Sequence, residues 1–112
     1  MIVLTDNANN IEELLEILSR NYEIVQQLYD TSLEFDLLDY NTTVFVGSLL
    51  DVVYELLTDT SKTPYRVINA IKLLTFAELL LTIAIELGKD VATSVANTVL
   101  RSIASVDVKF SN

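Results

Sequence analysis

The chain has 112 residues, 51% of them hydrophobic, a net charge of −9, and neither cysteine nor histidine. That length suits one domain, residues 1–112, with a full hydrophobic core and no metal or disulfide to staple it. The missing residue types exclude disulfides, thiolate metal sites, cysteine nucleophiles and every Ser-His-type triad, while the negative charge repels nucleic-acid phosphates and anionic membrane surfaces.

Residues 1–9 read as a polar terminal tail in which "MIVL" is too short for a secretory h-region, so a cytoplasmic location is expected. Asn10 stands before "IEELLEIL" with Glu13 three positions on, close to a capping box. Apolar and aromatic residues then recur at Ile11, Leu15, Leu18, Tyr22, Val25 and Tyr29, in alternating steps of four and three. Such a seam belongs to a helix packing at a shallow angle, and it predicts a first helix over about residues 10–35. Glu12, Glu13 and Glu16 sit where negative charge complements the helix dipole, and Glu16 and Arg20 are spaced to pair.

"LLDYNTT" breaks the pattern, with Asp39, Asn41, Thr42 and Thr43 as cap formers. A second helix is expected over 42–58, because Ser48, Asp51, Glu55 and Thr58 step by three and four along one face. Gly47, isolated inside it, marks a close helix contact. "TDTSKTP" is a loop; Thr63 before Pro64 predicts the start of a third helix, a hydroxyl cap followed by Pro at the first turn. That helix runs over 64–87 to Gly88, read as a left-handed C-cap. Asp90 is read as the cap of a fourth helix over 90–105, rich in Ala, Ser and Thr, and residues 106–112 as a second tail.

The third helix decides the architecture. Lys72, Thr75, Glu78, Thr82, Glu86 and Lys89 fall on one stripe, and the apolar arc opposite spans roughly 200°, twice that of a helix resting on one neighbour. The charges among those positions argue against a membrane span. A second greasy helix beside it leaves too little interior in so small a chain. The fold expected is therefore an all-α four-helix bundle completed by oligomerisation, as a homodimer or higher assembly. Leu49, Val53, Leu56, Phe76, Leu80, Ile83 and Leu87 are the expected interface. The charge split agrees: residues 1–60 carry twelve acids and one cation, net −11, while residues 61–112 carry six cations and four acids, net +2.

Chemistry has few candidates. Asp51 and Glu55, one turn apart, are the sole metal suggestion, a carboxylate-only site without a loop motif. Glu78 and Glu86 are expected to pair with Lys72 and Lys89. The five tyrosines group with no nucleophile, and no phosphate loop or basic–aromatic pattern is present. The reading is a non-enzymatic helical interaction or scaffold protein, with no cofactor, that self-associates and docks on a larger assembly. The alternative is a small-molecule or lipid-binding module with an apolar cavity between the second and third helices.

The acidic first helix, the "LLD" turn at Leu37, Leu38 and Asp39, the polar loop before "YRVINAIKLL" and the Ala-rich last helix together resemble an uncharacterised family. Its members are small helical accessory proteins encoded beside heterodisulfide-reductase-like and formate dehydrogenase subunits. The resemblance covers about Leu18 to Val106 and implies an accessory or scaffolding role in a redox complex, with no catalytic residues to carry over.

Overall fold

A computed structural model describes residues 11–58 and 63–110, with side chains as far as Val99 and that of Arg101. It is a four-helix bundle: α1 (Ile11–Glu34), α2 (Tyr40–Thr58), α3 (Pro64–Leu87) and α4 (Lys89–Phe110). The expected tails at 1–9 and 111–112 lie outside the described residues, whereas 106–110 continue α4 rather than forming a tail.

Each helix boundary has a local cause. α1 ends in a Schellman motif: the Leu37 N–H donates to Ser32 O at 2.9 Å and the Asp36 N–H to Leu33 O at 3.2 Å. Asp36 takes the left-handed conformation this requires, φ 54°, which aspartate tolerates better than most residues. Two residues before the expected start, α2 begins because Asp39 is its cap, accepting from the Thr42 N–H at 2.9 Å. Thr63 caps α3 as predicted, accepting from the Arg66 N–H at 3.3 Å, with Pro64 in the first turn.

Gly88 departs from expectation. Its φ of 101° is positive but its ψ of 168° lies far from the left-handed helical well, a region essentially closed to residues with a Cβ. Its N–H donates to Ala84 O at 3.1 Å and its carbonyl accepts from the Ala92 N–H at 3.2 Å. One residue therefore closes α3 and opens α4, leaving Asp90 in the first turn rather than at the cap.

α3 is the central helix. It packs most extensively on α1, then on α4, and least on α2, which also leans on α1. Its buried residues, Val67, Ala70, Leu74, Ala77, Leu81 and Ala84, step by three and four, with Leu80 widening the stripe. Every second member is alanine, so neighbouring helices approach closely and three of them share one arc. Much of the surface that one chain was not expected to hide is therefore covered within it: Leu80, like Leu49, Val53 and Leu56 on α2, is buried in the single chain. The polar stripe through Lys72, Thr75, Thr82 and Glu86 faces outward, with Leu79 exposed among its members. By length and composition α3 also matches a membrane span, as core helices of soluble bundles do.

α1 turns Leu14, Leu18, Val25 and Ser32 inward. It holds α2 through a specific contact: the Tyr29 hydroxyl donates to Thr43 O at 3.0 Å. Gly47 makes that possible, since a Cβ there would stand 2.8 Å from the Tyr29 hydroxyl oxygen. The close contact expected of Gly47 is thus with α1. Burial raises the Tyr29 pKa above its ordinary 10.0, helped by the negative charges of Asp51 and then Asp30.

Candidate functional site

Between α2 and α3 the packing opens. Phe45 and Phe76 meet with ring centroids 6.0 Å apart at 58°, spacing the two helices at one level. Toward the C-terminal half of α2 and the N-terminal half of α3 no such ring pair bridges the two helices among the described residues. The α3 wall there is Arg66, Asn69, Ala70 and Leu73; the α2 wall is Leu49, Val52, Val53 and Leu56. Ala70 is short where its helix neighbours are long, and the volume left is about 200 Å3, almost entirely apolar in its lining. That exceeds an engineered core cavity of about 150 Å3 known to hold a benzene ring, and leaves room for one or two aliphatic side chains.

Val52 stands at the rim, 58% exposed. A valine so placed is either stranded in water or waiting to be covered, and burying it is worth about 1.5–3 kcal/mol. Three of the seven residues expected at an interface, Leu49, Val53 and Leu56, line this groove from their buried positions. Phe76 and Ile83 are half-buried against the core and Leu87 is 65% exposed at the far end of α3. The structure therefore does not bring the seven together on one surface. What sequence reasoning missed was the other wall. Ala70, the sole alanine in "YRVINAIKLL", was its signal, since a small residue on a large-residue helix leaves space opposite.

The carboxylate candidates are placed as follows. Asp51 and Glu55 are both exposed on α2, and among the described residues no group of three His, Cys, Asp or Glu side chains converges to hold a metal ion. Glu16 accepts from Arg20 at 2.9 Å on the exposed face of α1, as its spacing suggests. Lys89 was expected to pair with Glu86 or Glu78; the ion pair it makes is with Asp36, Nζ to Oδ1 3.5 Å, tying the end of α1 to the α3–α4 corner. Those partners share the α3–α4 corner because the Schellman turn brings Asp36 there.

No protein-family model matches the chain, and neither does any curated protein or solved structure.

Proposed function

We propose that the chain is a non-enzymatic helical interaction protein that self-associates by covering the α2–α3 groove, and that this pairing presents it to a larger assembly. The observation carrying the reading is the groove itself: about 200 Å3, apolar, with exposed Val52 on its rim. In a two-fold contact each copy meets the same patch on the other, so Val52 of one copy enters the groove of its partner and the reverse.

A small-molecule occupant fits less well. Ligand sites usually enclose about 300–1,000 Å3 and bury most of the ligand; this groove is smaller and open along one side. Catalysis has less support still, because the chain holds no histidine or cysteine and Asp51 and Glu55 are exposed to water. The resemblance to small accessory proteins encoded beside redox-complex subunits agrees with a scaffolding role.

Sedimentation equilibrium at micromolar concentration tests the reading. The wild-type chain is expected as a dimer, and Val52→Asp as a monomer of unchanged helix content. A wild-type monomer, or a dimer indifferent to Val52→Asp, would refute self-association through this groove.

A further inference from the structure

The opposite end of the molecule carries a second uncovered surface. Its landmark is the exposed Asp36–Lys89 ion pair at 3.5 Å, which places the α1 terminus beside the α3–α4 corner. Within three positions of one or other partner stand four exposed apolar side chains: Leu33, Phe35, Leu87 and Val91. Phe35 and Leu87 are 63% and 65% exposed, more than any other large aliphatic or phenylalanine side chain described. Single exposed apolar residues need no explanation, but several flanking two ion-paired residues are candidates for a contact surface. Leu87 lies fourteen residues beyond Leu73, about 21 Å along α3, so this corner is separate from the groove.

The ionic surroundings choose the occupant. Glu34, Asp36, Glu86 and Asp90 are all exposed on the elements that meet here, with one cation beside them among the described residues, Lys89. A second copy presenting the same corner would set acids against acids, which disfavours a two-fold contact here. Anionic lipid and nucleic acid are repelled for the same reason. What fits is the complementary pattern, an apolar stripe bordered by Lys and Arg, as on a basic amphipathic helix. We propose that the α1–α3–α4 corner, with Phe35, Leu87 and Val91 as its apolar contacts and Glu34, Asp36, Glu86 and Asp90 as its acidic border, docks a cationic amphipathic helix of a partner protein. With the groove engaged by a second copy, a dimer would then offer two such corners.

The test uses the full chain, isotope-labelled, titrated with a synthetic Leu/Lys amphipathic peptide and with a scrambled peptide of the same composition. Amide shifts are expected to concentrate at residues 33–37 and 85–91 and to leave 49–56 unmoved. Leu87→Ser and Phe35→Ser, on different helices and already exposed, should each weaken binding about tenfold or more. Added salt should loosen it in every variant. The proposal is overturned if the peptide does not saturate, if the scrambled peptide binds equally, or if both serine variants bind as the wild type. Shifts centred on Val52 would also overturn it while leaving the groove reading intact.

Discussion

α3 meets α1 and α2 in opposite ways. Toward α1 its contact is extensive, and the helix buries seven residues with none of them more than 6% exposed. Toward α2 contact is sparse, one wall is the short Ala70, and a groove of about 200 Å3 remains. α2 is nevertheless well placed, because α1 holds it from the other side through Tyr29 over Gly47 and through Tyr22, whose ring lies 6.4 Å from that of Tyr54. The difference separates two duties. The interior of α3 makes the chain fold, and the gap beside it leaves an apolar groove open to solvent.

Truncation should expose that difference most strongly. Leu74→Ala, at a fully buried position, is expected to cost about 2–5 kcal/mol in chemical denaturation, whereas Val52→Ala on the groove rim should stay within about 0.5 kcal/mol for the isolated chain. Equal losses at the two sites would erase the distinction. Next in size is the anchor of α2. Tyr29→Phe should cost about 1 kcal/mol, the net worth of its hydrogen bond. Gly47→Ala should be nearly neutral alone, since the helix propensity gained, about 1 kcal/mol, is offset by displacing the hydroxyl. In the Tyr29→Phe background the same substitution should stabilise by about 1 kcal/mol, because the ring carbon next nearest the new Cβ lies at an ordinary 3.6 Å. A strictly additive double-mutant cycle would show that α1 does not hold α2 through this contact.

Smaller effects sit at the turn joining those helices. Asp36→Gly relieves a left-handed backbone and should stabilise by about 0.4–1 kcal/mol, less whatever the exposed pair with Lys89 contributes. The slightest effect is that of pH. Because the folded Tyr29 pKa is raised above 10.0, the unfolded chain loses that proton first. Its contribution is therefore complete below pH 10.0 and is lost as pH climbs through the raised folded value. Denaturation midpoints measured from pH 8 to 11.5 should decline more gently in Tyr29→Phe than in the wild type.

Much of this architecture could be read from residue order. The Asp39, Thr63 and Gly88 punctuation and the three–four spacing placed four helices within a few residues of their bounds, because caps and periodicity are local properties. The Glu16–Arg20 pair and the tight contact at Gly47 were legible for the same reason. The candidate surfaces were only half legible. Leu49, Val53 and Leu56 were recognised as apolar on the right helix, yet nothing local says that Ala70 stands opposite them and leaves a gap. Nor does any spacing pair Asp36 with Lys89, fifty-three positions apart.

What the sequence determined by itself was the class of molecule: an acidic chain of helices without histidine or cysteine, bounded where its caps and glycine stand. Tertiary structure decided which apolar surface was spare. Hydrophobicity is additive along a chain, but burial depends on what lies across from each side chain. Alanines on α3 let neighbours close over most of it, while one alanine facing α2 left the groove open.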